Sequence, residues 1–235
     1  DVGTALSDST GRLSVAFTND GLHLTGPGYV RWKETIYESI YDLPALIPRP
    51  ISLQWNHQKV DLNGFKFIVA ENPLLKQEAL FLQSLFTKHK TAIRITSTPP
   101  LSGHFIRLMI TPDINNKEGY RMSVKPDGIR IAAKTATGIF YAIQTLQQLI
   151  TGKQFQCAEI SDAPAFPYRG FMVDVGRNFQ SIKQLKQQID VMAAYKLNVF
   201  HFHLTEDIAW RLQSKQYPQL TDAKHMLRNA GKYYS

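Results

Sequence analysis

Hydrophobic positions in this chain change period several times, and each change marks an expected element. Residues 51–150 read as an α+β pattern. Ile51 to Trp55 and Gly64 to Ala70 are expected strands. Asn72-Pro73 supplies an N-cap with proline at the first helical position. Leu75, Ala79, Leu82 and Phe86 then share one face of a helix. Further strands are expected at Ala92 to Thr96, Phe105 to Thr111, Gly119 to Lys125 and Gly128 to Ala133. Pro126-Asp127-Gly128 makes a tight hairpin turn between the last two. Thr137 to Ile150 reads as a second helix, with Ile139, Ala142, Ile143, Leu146 and Ile150 on its buried side. Two helices on one face of a mostly antiparallel sheet would bury both sets of apolar positions.

From Tyr168 the pattern changes. Phe171-Met172-Val173-Asp174-Val175 has the length of one buried strand, and Gly176-Arg177-Asn178-Phe179 leaves it as a turn. Ser181 with Gln184 three residues later is a capping-box signature. Leu185, Ile189, Met192 and Ala193 recur at helical spacing. Asn198 is the expected left-handed residue closing that helix. Leu197 to Leu204 is a second strand. A strand-helix-strand unit of this length implies parallel pairing. Leu46-Ile47-Pro48-Arg49-Pro50, with two prolines, marks a boundary ahead of the α+β region.

The polar residues of the strand-helix-strand unit collect at one place. Arg177 follows the carboxyl end of its first strand. His201 and His203 alternate with Phe200, Phe202 and Leu204, so both imidazoles share one face of the second strand. Glu206, Asp207, Trp210 and Arg211 follow that strand's carboxyl end, where parallel α/β folds bind ligands. A cation, imidazoles, carboxylates and an indole at one rim suit a polyhydroxylated ligand.

Composition removes several other classes. The 235 residues are 43% apolar and 20% charged, with mean hydropathy −0.23, a globular balance. No apolar run is long enough to span a membrane, and no signal peptide opens the sequence. Cys157 stands alone, which excludes a disulfide framework and a cysteine metal cluster. His57, His89 and His104 form no metal-ligand pattern and read as surface or capping histidines. The net charge of +8 raises nucleic acid as a partner. The Lys and Arg residues are scattered without a basic run, so a solvated basic surface is the better reading.

The series Arg169-Gly170, Asp174-Val175-Gly176-Arg177-Asn178-Phe179, Asp190-Val191-Met192-Ala193, Lys196-Leu197-Asn198, His201-Phe202-His203-Leu204-Thr205-Glu206-Asp207, Trp210-Arg211 and Tyr217-Pro218 resembles the opening of the catalytic barrel of family-20 glycoside hydrolases, the β-N-acetylhexosaminidases. Two departures stand out: the family commonly has aspartate where Glu206 stands, and Gln-Gly where Ile208-Ala209 stand. The α+β region, with Ile47-Pro48-Arg49-Pro50 and a terminal helix carrying Gly138, Ala142 and Leu146, is similar to the small domain ahead of that barrel. The resemblance implies substrate-assisted retaining hydrolysis of terminal β-linked N-acetylhexosamine; no cofactor and no metal are expected. It implies that Arg177 binds sugar hydroxyls, a bidentate task suited to guanidinium, and that Glu206 is a supporting acid. The alternatives are a structural ion pair from Arg177 to Asp174 and an exposed loop carboxylate at Glu206. His203 lines the pocket or sits in the core. Trp210 packs or stacks on sugar. Asp207 braces Arg211 or its loop. The family's catalytic Asp-Glu pair follows a later strand in a His-x-Gly-Gly-Asp-Glu-like context that this sequence lacks, and Glu206-Asp207 is not that pair.

Asn19-Asp20-Gly21-Leu22-His23-Leu24-Thr25-Gly26-Pro27-Gly28-Tyr29, followed by Trp32 and a helical run to Tyr41, resembles the last block of SGNH (GDSL-type) hydrolases. Asp20 and His23 would then be the carboxylate and base histidine of a serine-dependent site, although no Gly-Asp-Ser motif occurs here. The competing reading makes Asp20-Gly21 a turn and His23 a surface histidine.

The expected organisation is therefore three segments. Residues 1–43 are an SGNH-like remnant and linker. Residues 44–152 are the α+β domain. Residues 153–235 are the opening β-α-β of a truncated (β/α)8 barrel, because a whole barrel needs about 250 residues. A piece of a longer enzyme, inactive alone and completed by the rest of the barrel, is the leading expectation. A non-catalytic carbohydrate-binding or scaffolding module and part of an esterase acting on acetylated glycans are the alternatives. The sequence does not place the protein in a compartment; an exported parent is the natural expectation for glycan degradation.

Overall fold

A computed structural model describes residues 2–41 and 43–235, except for the side chains of residues 34, 36–41 and 57. His57 therefore lies outside the described side chains. The chain divides into two units, residues 1–45 and 46–235.

The first unit carries α1 (Val2–Leu6) and α2 (Gly26–Tyr41), the second matching the expected helical run. Between them, isolated bridges pair Ser7 with Leu13 and Thr18 with Leu24. Gly28 is sterically required: a Cβ there would lie 2.6 Å from the Phe17 carbonyl oxygen.

The second unit opens with β1 (Ser52–Asp61), β2 (Phe65–Ala70), α3 (Lys76–Lys88), β3 (Arg94–Thr96), β4 (His104–Ile110), β5 (Tyr120–Lys125), β6 (Gly128–Ala133), α4 (Ala136–Gln148), β7 (Ile150–Thr151) and β8 (Gln154–Asp162). These strands form one sheet in the order β1-β8-β5-β6-β4-β2-β3, with β7 beside β8. The Asn72 side chain accepts from the Leu74 amide and Pro73 opens a short 3-10 turn, which leads into α3. Leu75, Ala79, Leu82 and Phe86 are all fully buried, as their spacing predicts. With Ile139, Ala142, Ile143 and Leu146 of α4 they fill one core against Phe65, Ile68, Ile106, Met122, Ile131 and Phe155. On β5, Tyr120, Met122 and Val124 face this core while Arg121 and Lys125 face water.

Two expectations need correction. The sheet is divided rather than mostly antiparallel. β1, β8, β5 and β6 pair antiparallel, whereas β6, β4, β2 and β3 pair parallel. The reason is visible in the chain order: α3 lies between β2 and β3, and a helix crossover returns the chain in the same direction. The boundary at 152/153 also moves. β8 bonds both β1 and β5, so the sheet extends through Asp162. This strand was hidden behind the helix assigned to Ile150; the signal for it is Gly152, at φ +63 between β7 and β8.

β9 (Gly170–Asp174), α5 (Ile182–Ala194) and β10 (Val199–His203) form the strand-helix-strand unit. The two strands pair in parallel, with His203 opposite Asp174. The capping box is formed as read, the Ser181 hydroxyl accepting from the Gln184 amide and the Gln184 side chain accepting from the Ser181 amide. Leu185 and Met192 are buried, but Ile189 is 47% exposed, so the expected apolar face is only half covered among the described residues. The left-handed residue is Lys196, φ +60, not Asn198. The Leu197 amide donates to the Met192 carbonyl and the Lys196 amide to the Ala193 carbonyl, the two bonds of a Schellman ending. Asn198 instead pins the chain ahead of β9, its side chain accepting from the Arg169 amide and donating to the Pro167 carbonyl.

Lysine in a position that favours glycine has a partner that explains it. Lys196 Nζ lies 2.7 Å from Asp162 Oδ2 at the end of β8 and 3.0 Å from the Tyr120 hydroxyl. Both charged side chains are almost fully buried. Burial pulls the Lys196 ammonium below its usual pKa despite Asp162, and burial with Asp162 pushes the Tyr120 phenol up. Arg169 adds a second tie, pairing with Glu118 at 2.8 Å and donating to the Tyr141 hydroxyl at 3.1 Å. Lys196→Gly should relieve about 1 kcal/mol of left-handed strain. It should still destabilise the protein by about 2 to 4 kcal/mol, because Asp162 stays buried without its cation. Urea unfolding of Lys196→Gly beside the unsubstituted chain measures this, and a stabilised variant would show that the backbone strain outweighs the ion pair.

Candidate functional site

The rim at the carboxyl ends of β9 and β10 is built from backbone alternation. Val173 and Val175 point into a small core with Leu185 and Tyr234, padded by Phe179, Phe200, Phe202 and Leu204. Period two then turns Asp174 the other way. On β10 the same alternation puts His201 and His203 on one face, their rings stacked with centroids 6.3 Å apart.

The structure brings Arg177, Glu206 and His203 together, as the sequence suggested, and adds Asp174. The Arg177 amide donates to Asp174 Oδ1 at 2.9 Å. Its guanidinium lies 3.3 Å from Asp174 Oδ2 and 3.7 Å from Glu206 Oε1, and its side chain is 63% exposed. The ion pair to Asp174 is therefore present, and it holds an exposed guanidinium between two carboxylates. His203 Nε2 donates to the Thr205 carbonyl at 2.9 Å. Its Nδ1 lies 3.8 Å from Asp174 Oδ2, and its Nε2 is 3.8 Å from Glu206 Oε1. His203 is half-buried, between the pocket and core readings. Gly176 permits this closeness: a Cβ there would meet the Glu206 Cβ at 2.9 Å. Asp174 was not among the candidates, although its place at the end of an apolar run was the signal.

Beyond Glu206 the chain folds into a tight loop. The Glu206 amide donates to the Ala209 carbonyl, and Thr205 and Trp210 form a bridge. Ala209 is buried, so the unusual Ile208-Ala209 pair replaces the expected Gln-Gly with an apolar plug. Trp210 Nε1 donates to the Leu212 carbonyl at 2.7 Å. Glu206, Asp207 and Trp210 line a cavity of about 290 Å³ with Gln219, Leu220 and His225. Asp207 is exposed and does not brace Arg211. Arg211 is instead fully buried, donating to five backbone carbonyls, those of Val175, Gly176, Arg228, Asn229 and Lys232.

In the first unit, Asp20 and His23 are in contact. Asp20 Oδ2 lies 2.7 Å from His23 Nδ1, while Oδ1 accepts from the Leu22 and His23 amides. The ring contact and then these amides hold the Asp20 carboxyl far below the usual carboxylate range. Both side chains are exposed.

A divided α/β sheet docked on a parallel strand pair, whose carboxyl rim presents an exposed guanidinium between carboxylates, defines an α/β protein with the opening of a barrel. Residues 43–163 match the model of glycosyl hydrolase family 20, domain 2, and residues 166–235 match that of the glycosyl hydrolase family 20 catalytic domain. The chain belongs to glycosyl hydrolase family 20. It is 36% identical over 190 residues to a β-hexosaminidase of Porphyromonas gingivalis, covering 75% of this chain and 24% of that one. It is 34% identical over 185 residues to an N,N'-diacetylchitobiase of Vibrio harveyi, covering 76% and 20%. The exo-β-N-acetylglucosaminidase of Vibrio harveyi in complex with N-acetylglucosamine superposes with TM-score 0.68 at 27% identity, over 80% of this chain and 32% of that one. The β-N-acetylhexosaminidase of Bacteroides fragilis gives TM-score 0.68 at 30% identity, over 80% and 39%. The chain thus spans a fifth to a quarter of the length of these two curated relatives. The two family matches begin at residue 43, so the SGNH-like reading of the first unit stands on its own residues alone.

Two outcomes follow from this geometry. Arg211→Met should cost about 3 kcal/mol or more in urea unfolding, because five carbonyls, two of them buried, lose their donor; a change below 1 kcal/mol would show that the loops re-pair without it. The lowered Asp20 pKa contributes stability that is present above the unfolded value of about 3.9 and lost as pH falls through the native value. A carbon-detected NMR titration should therefore show Asp20 still ionised at pH 3.9, and a midpoint at or above that pH would remove the His23 contact from solution.

Proposed function

We propose that this chain forms the entrance half-site of an exo-acting β-N-acetylhexosaminidase that removes terminal β-linked N-acetylhexosamine by substrate-assisted retaining hydrolysis. The observation that carries the reading is Arg177, held by Asp174 and Glu206 at the rim with its guanidinium open to solvent. Two carboxylates fix the plane of the cation while its outward donors fork to adjacent sugar hydroxyls. Glu206 acts as the supporting acid, orienting Arg177 and His203. Trp210 and Asp207 line the adjoining cavity, where an indole face and a carboxylate suit a ring bearing hydroxyls. The β-hexosaminidase and chitobiase relatives and the N-acetylglucosamine complex support the substrate class.

Protonation of the leaving group belongs to an Asp-Glu pair on a later strand of the complete barrel. No such pair in its Gly-Gly context occurs in these 235 residues, so this chain alone binds without turning over. The rest of the barrel supplies the missing general acid and the remaining sugar contacts.

A second reading is favoured for the first unit by the 2.7 Å contact between Asp20 and His23 Nδ1. This is the orientation in which a carboxylate holds the imidazole of a serine hydrolase. The complete protein would then pair an esterase with the glycosidase, removing acyl groups that block the sugar.

The test is hydrolysis of an aryl β-N-acetylglucosaminide by this chain and by a chain extended through the remaining strands. The extended chain alone should turn over. Arg177→Ala in it should lower kcat/KM about 100-fold or more, the loss expected for charge-assisted bonds to two hydroxyls. Turnover by the 235-residue chain would make Glu206-Asp207 the catalytic pair after all.

A further inference from the structure

The rim contains a ligand set that a sugar need not fill. Among the described residues, Asp174, His203 and Glu206 each place one ligand atom within 4.8 Å of the other two. The expectation of no metal rested on the lone cysteine and on His57, His89 and His104, none of which lies in this group.

The geometry points to a binding site for a divalent transition cation of the Zn²⁺ class, held by Asp174, His203 and Glu206 in competition with the Arg177 guanidinium. The tautomer of His203 favours it. Nε2 gives its proton to the Thr205 carbonyl at 2.9 Å, which leaves the Nδ1 lone pair 3.8 Å from Asp174 Oδ2. A ring nitrogen anchored through its partner N–H is the arrangement of metal-bound histidines. Zinc bonds of about 2.0–2.2 Å at tetrahedral angles place ligand atoms about 3.4 Å apart. The pair of Nδ1 with Asp174 Oδ2, at 3.8 Å, needs a contraction of a few tenths of an ångström. Glu206 Oε1 lies 3.8 Å from Nε2 rather than Nδ1, and its side chain reaches the ion by rotation. One imidazole with two carboxylates selects a borderline cation over calcium or magnesium, which prefer all-oxygen shells.

Charge decides what occupies the space now. Two carboxylates carry −2, and Arg177 returns +1 at 3.3 and 3.7 Å. The guanidinium is 63% exposed, so it can swing into water without unpacking anything. A divalent ion entering from the same side would neutralise both carboxylates and expel it. Three protein ligands leave a fourth position for water. On the reading of Arg177 as the sugar-binding cation, zinc and sugar would then exclude each other.

The test is isothermal titration of the 235-residue chain with Zn²⁺ alone, which needs no turnover and is independent of the glycosidase assay. One ion should bind per chain. His203→Ala and Asp174→Asn should each abolish that event, while His201→Ala, on the same face but outside the set, should leave it unchanged. Arg177→Ala should tighten binding about tenfold or more, because it removes the competing charge. This exposed position can be replaced without endangering the fold. The inference is overturned if Arg177→Ala weakens binding or leaves it unaltered, or if His203→Ala retains it; either result assigns the zinc to adventitious surface histidines.

Discussion

The rim depends on one buried guanidinium. Among the described residues Arg211 has no carboxylate partner, and it has no exposure to water, yet burying a charge is costly unless its field is answered. Here five carbonyl dipoles and the Met226 sulfur answer it. Two of the carbonyls belong to Val175 and Gly176, the residues that lead directly into Arg177. The other three belong to residues 228–232, a stretch without helix or strand. A planar fork of five donors can tie two loops at once; an ammonium with three cannot replace it. The aromatic stack of Phe179 on Tyr234, 4.9 Å between centroids, closes the same junction from beside the guanidinium.

Above that tie the rim is an electrostatic compromise. Asp174 and Glu206 approach one another because Gly176 has no side chain and because Arg177 lies between them. Remove the cation and the carboxylates repel; replace it with a doubly charged ion and they close further. The position of Glu206 is thus fixed by backbone sterics on one side and by an exchangeable charge on the other.

Much of this was legible from pattern. The capping box at Ser181, the face of α3 and the turn at Pro126-Asp127-Gly128 rest on local chemistry, and local chemistry is written in neighbouring residues. The convergence of Arg177, His203 and Glu206 was legible too, because parallel strands fix which ends meet. Three things were not. The parallel half of the sheet depends on which strands lie side by side, a long-range choice that alternation does not encode. β8 was hidden because its buried run abuts a helix of similar composition. Lys196 was missed because a left-handed lysine violates local preference, and its reason is Asp162, a residue 34 positions away. The Ile208-Ala209 departure was seen, but its meaning as an apolar plug required the fold.

Lys196 also changes how the barrel can be assembled. The residue that ends α5 is fastened to the end of β8, an interior strand of the preceding sheet, and Arg169, just before β9, is fastened to Glu118 and Tyr141. Both entrances to the strand pair are therefore anchored outside the ring to which the pair belongs. A ring whose first two staves are already nailed to a wall does not have to find its own registry. In a complete family-20 barrel, strands following β10 would add to an edge already fixed against this sheet, which would serve as the jig for the cylinder.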